Sequence, residues 1–178
     1  MFKRQMTNDL TAEEIRVLLK LEPHATCGFV RVSFISNKRI APGGLPAPFL
    51  DGRPAGSALY FMVTPDAPVR VHRIRNDQLY HYYMGDPIEV LMLHENGTSE
   101  HAFVGPDLRG GQCVQLLIPG NTFHTARVIG RRRWFLGAST EWPGVERVDV
   151  EVGDVEALAA KYPDAAANLR AFQKGSGD

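Results

Sequence analysis

Hydrophobic and polar positions along the chain fall into three regimes: a short helical period, a long run of two-residue alternation, and a helical period again near the end. Thr11 and Glu14 have capping-box spacing, Leu10 and Ile15 are placed as a hydrophobic staple, and Ile15, Leu18 and Leu19 share one apolar face. The spacing predicts a helix over about 11–21, ending before Pro23. From residue 28 to 35 the period becomes that of a strand, with Phe29, Arg31, Ser33 and Ile35 on one side and Val30, Val32 and Phe34 on the other.

Residues 40–56, "IAPGGLPAPFLDGRPAG", hold four prolines and four glycines, so neither a helix nor a central strand continues through them. Such a loop suits a lid, a contact surface or an inert surface connection. Short strands then follow one another over 57–63, 69–74, 78–84, 88–94, 100–104, 113–118, 122–129, 133–140 and 147–152. Turn signals separate them, among them Gly85-Asp86-Pro87, Asn96-Gly97 and Pro119-Gly120-Asn121. This spacing predicts an all-β antiparallel sandwich or barrel, at about 28–152 of a single domain spanning 1–178. Two helical pieces, 154–162 and 164–172, form a C-terminal tail over about 154–173.

Composition narrows the classes of partner. Twenty basic and twenty acidic residues give a formal net charge of zero, so no overall field attracts nucleic acid or an anionic membrane. No apolar run reaches the roughly 20 residues needed to span a bilayer, and the opening MFKRQMTNDL reads as too polar for a signal peptide. With Cys27 and Cys113 as the whole thiol inventory, the expectation is a reduced, cytoplasmic protein with two free cysteines. Asn96-Gly97-Thr98 then reads as a hairpin turn rather than a glycosylation site.

Candidate chemistry is concentrated in "VHRIRNDQLYHYYMGDP", residues 71–87. Alternation puts Gln78, Tyr80 and Tyr82 on one face of their strand and Leu79, His81 and Tyr83 on the other. His72 and Ile74 share a face of the preceding strand, flanked by Arg70, and His124 follows the turn "IPGNTF". A lone histidine reads most simply as a satisfied polar residue of a barrel mouth. Two histidines converging on one cavity with tyrosines suit proton transfer, because imidazole titrates near neutrality and a phenol can relay a proton.

These positions resemble the two motifs of the cupin superfamily. The first, usually G-x5-H-x-H-x(3,4)-E-x6-G, reads here as Asp66, His72, Ile74, Gln78 and Gly85; the second, usually G-x5-P-x-G-x2-H-x3-N, reads as Pro119, Asn121, His124 and Val128. Asn121 in place of glycine is tolerable, since asparagine enters the left-handed region more easily than most residues. The blocks "GSALYFMVTPD", "QLLIPGNTFHTARV" and "RWFLGASTEWPGVE", with "LEPHATCGFVR" near the start, are similar to the small-cupin subfamily known as cupin family five, over roughly residues 18–163. The resemblance implies a double-stranded β-helix (a cupin jelly-roll barrel), a site inside it and a homodimer.

The departures bear on the chemistry. The cupin metal set uses both histidines of H-x-H, the glutamate and the second-motif histidine, whereas this chain has Ile74 and Gln78 at two of those places. No cofactor is therefore favoured; a divalent metal, if held at all, would sit on His72 and His124. The subfamily tends to carry glutamine where His124 stands, so this chain has gained an ionisable group there.

The expected catalytic residues are His72, His124 and Tyr82, with Tyr60, Arg70, Gln78 and Tyr80 contacting a small-molecule substrate. The expected function is non-redox acid/base chemistry, by an epimerase/isomerase or dehydratase/lyase, on a sugar-like, nucleoside-like or hydroxylated compound. Two alternatives stand beside it: a metal-dependent cupin oxygenase or lyase, and a non-catalytic small-molecule binding cupin. Neither nucleic acid nor membrane is an expected partner.

Overall fold

The computed structural model describes residues 10–131 and 133–173; positions 1–9, most of the polar opening stretch, lie outside the described residues. Helix α1 (Ala12–Leu19) begins at the capping box, with the Thr11 hydroxyl accepting from the Glu14 amide and the Glu14 carboxylate accepting from the Thr11 amide. It stops two residues short of the expected end because Lys20 turns left-handed, its N–H capping the last turn. Ile15 is buried and Leu19 packs beside it, whereas Leu18 points to solvent, so the apolar stripe is narrower than its spacing implies.

Among the described residues thirteen strands follow in chain order: β1 (Glu22–Pro23), β2 (Phe29–Ile35), β3 (Arg39–Ile40), β4 (Arg53–Pro54), β5 (Ser57–Val63), β6 (Val69–Ile74), β7 (Asp77–Gly85), β8 (Ile88–Leu93), β9 (Ser99–Val104), β10 (Gln115–Ile118), β11 (Phe123–Val128), β12 (Phe135–Trp142) and β13 (Val150–Val152). They form a six-stranded sheet, β1-β2-β5-β12-β7-β10, a five-stranded sheet, β13-β6-β11-β8-β9, and the small β3-β4 hairpin. Every strand pairing is antiparallel. The two large sheets face one another as the double-stranded β-helix, and residues from both meet in one core: Phe61, Tyr80 and Phe135 from the first against Val69, Val90 and Ala126 from the second.

The outer faces are covered at opposite sides. Helix α1, through Ile15, and Leu21 just beyond its cap lie on the first sheet against Met62, Trp134 and Leu136. Helices α2 (Val155–Lys161) and α3 (Ala166–Gln173) cover the second, where Leu169 and Phe172 are almost fully buried with Val71, Leu91 and Leu93. Burying each such side chain contributes about 1.5–3 kcal/mol. No described helix is long and apolar enough to cross a membrane.

Some boundaries differ from the expected ones for identifiable reasons. Residues 147–149 wind into a 3-10 turn instead of opening the last strand, because the Asp149 carboxylate accepts from the Glu146 amide and is held by Arg53. Strand β12 runs two residues further, to Trp142, since its end pairs with β5 and β7. The Pro/Gly-rich loop contains the β3-β4 hairpin and is fastened at Arg53, which binds Asp149 bidentately at 3.0 and 2.8 Å and also pairs with Asp51. Both thiols are free, Cys27 buried and Cys113 half-buried.

Candidate functional site

One half of the barrel interior is filled with apolar side chains; the other half opens into a cavity of about 250 Å³. Its wall is built from cross-strand pairs. His72 on β6 and His124 on β11 are register partners in the second sheet, and across the chamber Gln78 pairs with Glu141 and Tyr80 with Ser139 between β7 and β12. Alternation along β7 and β12 points these four side chains inward. The turn before β11 is set by Asn121, which takes the left-handed conformation at φ 63°.

The imidazole rings lie 4.4 Å apart, centroid to centroid. Nδ1–H of His72 donates to the Arg70 carbonyl at 2.8 Å, and Nδ1–H of His124 donates to the Thr122 carbonyl at 3.2 Å. Each backbone contact selects the tautomer with a bare Nε2. In His124 that lone pair accepts the Tyr80 hydroxyl at 3.0 Å, with the Gln78 amide nitrogen at 3.5 Å. In His72 it faces the chamber, with the Cys27 thiol 3.9 Å away. Burial pushes the His72 pKa down to about 4, and burial together with the neighbouring ring holds His124 well below its ordinary value. Both rings are therefore neutral at physiological pH.

The structure brings His72, His124, Gln78 and Tyr80 together, and it moves three expected residues away. Tyr60 faces outward, edge-on to Tyr83 beside the α1 cluster, because its neighbour Phe61 takes the inward position. Arg70 is exposed and lends only its carbonyl. A β-bulge is the cause: His124 and Ala126 on β11 oppose His72 and Val69 on β6, so the extra residue breaks the alternation that would have put Arg70 beside His72. Tyr82 does face the interior, but beyond Tyr80, packed near Phe135 with its hydroxyl donating to the Gly85 carbonyl at 2.9 Å, and it does not line the cavity. His124 lies behind His72, Gln78 and Tyr80, fully buried. His81 points to the opposite face, as alternation requires, and pairs with Thr140.

Glu141 is the functional group that sequence reasoning missed. Its carboxyl lines the cavity, buried, and accepts the Ser139 hydroxyl at 2.5 Å and the Ser57 hydroxyl at 2.6 Å. Burial raises its pKa against the opposing effect of those hydroxyls. Counting alternate positions back along "FLGASTE" from the inward Glu141 reaches Ser139, and that period was the available signal. A larger groove, about 750 Å³, lies between α1 and the turn at 64–67, remote from all of these groups.

A scan of family models matches residues 13–153 to the family described as "Cupin superfamily (DUF985)". The chain is a cupin. Among solved structures, this cupin is similar to a hypothetical protein from Leishmania major at 23% identity, covering 92% of this chain and 98% of that one, with a TM-score of 0.81. A protein of Shewanella oneidensis is similar at 24% identity, covering 94% and 99%, also with a TM-score of 0.81. A cupin-2 domain from Rhodospirillum rubrum matches at 18% identity over 85% and 83%, with a TM-score of 0.55. At these identities the likeness is one of fold. No curated protein matches the chain.

As a resident metal centre this cupin's donor set is deficient. Ile74 lines the cavity where the second histidine of the first motif would stand, and Gln78 offers a neutral amide in place of a carboxylate. One of the two imidazole lone pairs is already occupied by Tyr80. Among the described residues no three His, Cys, Asp or Glu side chains gather closely enough to hold an ion. A divalent ion in such a site wants three or more protein ligands, and these residues do not fit it.

Proposed function

We propose that this cupin is a small-molecule enzyme carrying out non-redox acid/base chemistry, as an epimerase/isomerase or dehydratase/lyase, on a sugar-like, nucleoside-like or hydroxylated substrate. The observation that carries the reading is the His72–His124 pair, two neutral imidazoles side by side, one with its Nε2 lone pair turned to the cavity and met there only by the weak Cys27 thiol donor at 3.9 Å. His72 accepts a proton from a carbon next to a carbonyl or from a hydroxylated carbon. Tyr80 and His124, joined across the two sheets by their hydrogen bond, form the group that returns a proton to the product or to a leaving oxygen. Gln78 orients the substrate through its amide. No step requires a metal.

Thermal-shift screening against sugars, nucleosides and short hydroxylated compounds, with and without divalent metals, identifies a compound that binds. Turnover of that compound is then followed by NMR in deuterated water, where proton exchange at the reacting carbon is visible directly. His72→Ala and His124→Ala each lose turnover while circular dichroism shows the fold retained; full activity in both removes the proposal.

A second reading is favoured by one observation. With its pKa near 4, His72 is a weak base, and a cavity of this kind also serves a binding protein. Prolonged incubation that leaves a tightly bound compound chemically unchanged, with no deuterium incorporated, favours that reading.

A further inference from the structure

Hydrogen-bond donors and acceptors are unevenly divided in this cavity. The Tyr80 hydroxyl proton is committed to His124, and the Ser139 and Ser57 protons to Glu141. The Ser57 oxygen also accepts the Val145 amide at 3.1 Å, and His72 spends its N–H on the Arg70 carbonyl. Beside the Gln78 amide, what faces the chamber is mainly lone pairs: Nε2 of His72, approached only by the weak Cys27 S–H donor at 3.9 Å, and the unused acceptor sites of the Glu141 carboxylate.

Charge is divided in the same sense. Glu141 is buried, its carboxyl is held by two neutral hydroxyls, and no Lys or Arg pairs with it among the described residues. Of the residues lining the cavity only Arg147 carries a fixed positive charge, and it is exposed to water, where its field is screened. A buried carboxylate without a counter-ion is costly, and a cationic donor entering the chamber supplies both the missing charge and the missing protons.

We propose that the cavity selects a small molecule bearing a protonated amine, of the amino alcohol or amino sugar class, whose ammonium group sits against Glu141 while a neighbouring hydroxyl donates to Nε2 of His72. Carboxylates and phosphates are disfavoured, because they would bring acceptors and negative charge to a wall that already presents both. This assignment rests on reading the cavity as the substrate chamber, and it names the class of substrate for that site.

The experiment is a calorimetric and NMR titration of the full chain at neutral pH with two matched series: 3-amino-1,2-propanediol, glycerol and glycerate, and glucosamine, glucose and glucuronate. In each series the amine binds about tenfold or more tighter than the neutral compound, a difference worth about 1.4 kcal/mol, and the acid binds weakest. Glu141→Gln brings the amine to the level of the neutral compound. Should that variant fail to fold, carboxyl-carbon NMR of the unaltered protein reads the same contact: the amine lowers the Glu141 titration midpoint and the polyol does not. Equal binding across a series, tightest binding of the acid, or binding of none of the six overturns the assignment. Turnover of a neutral hydroxylated compound without any amine preference removes this inference and leaves the acid/base reading intact. An amine preference with no His72-dependent turnover does the reverse.

Discussion

The Tyr80 hydroxyl donates to Nε2 of His124 at 3.0 Å, and this bond divides the labour of two adjacent imidazoles. It occupies the lone pair of the ring that is sealed in the wall and leaves His72 as the ring whose lone pair meets the chamber. Tyr80→Phe keeps the aromatic packing against Phe61 but strands a buried acceptor. The expected cost is about 1–3 kcal/mol of stability, read from urea unfolding. A Tyr80→Phe protein as stable as the parent would show that the bond contributes nothing.

The tautomers are open to direct observation. Because Nδ1 of His72 and of His124 donates to a carbonyl, long-range proton–nitrogen NMR of the imidazoles is expected to show protonated Nδ1 and bare Nε2 in both rings. For His72 that pattern persists from neutral pH down toward about 4. Titration of His72 near its ordinary value of 6.5 would mean that the ring is solvated rather than buried.

Stability depends on pH through the same groups. The folded pKa of His72 lies below its unfolded value, so the unfolded chain takes up the proton first as pH falls. Its contribution is present above about pH 6.5 and is lost as pH falls toward about 4. His124 acts in the same direction. Glu141 acts oppositely: its folded pKa is raised, so its contribution declines as pH rises above its ordinary 4.5. His72, whose pKa falls to about 4, and His124 act together in this window, and the urea midpoint is expected to rise from about pH 5 to about pH 7. His72→Gln flattens that rise; an unchanged slope in the variant would assign the dependence to other groups.

Arg53 is 1% exposed and holds the equally buried Asp149 in a two-bond pair that anchors the Pro/Gly-rich loop to the 3-10 turn. Removing Arg53 leaves the buried Asp149 carboxylate with only the Glu146 amide and the more distant Arg75 at 4.0 Å, so Arg53→Ala is expected to cost about 3 kcal/mol. Limited proteolysis would then cut within residues 40–56 before the barrel unfolds. No residue of that loop lines the cavity, so the cut is expected to leave ligand binding in place.

Much of the architecture was legible because it depends on neighbours along the chain. Thr11 and Glu14 announce the helix start, the Asn96-Gly97 turn announces the β8-β9 hairpin with Gly97 at φ 87°, and Asn121 announces the left-handed turn that aims His124. Alternation along β7 was enough to separate Gln78 and Tyr80 from His81.

By itself, then, the amino-acid sequence determined the element types, the barrel class and the motif positions His72, Gln78 and His124, since a two-residue period and a turn residue act within a few bonds. Tertiary structure alone decided which of them share a chamber and in what state. The bulge on β6 that expels Arg70 exists only in the pairing with β11. The contact of Tyr80, rather than Tyr82, with His124 depends on how the two sheets stack. Glu141 enters the site because β12 pairs with β7 across more than sixty positions of chain, setting it opposite Gln78. Register between distant strands and the loss of water around a side chain are properties of the assembled barrel, and no local spacing encodes them.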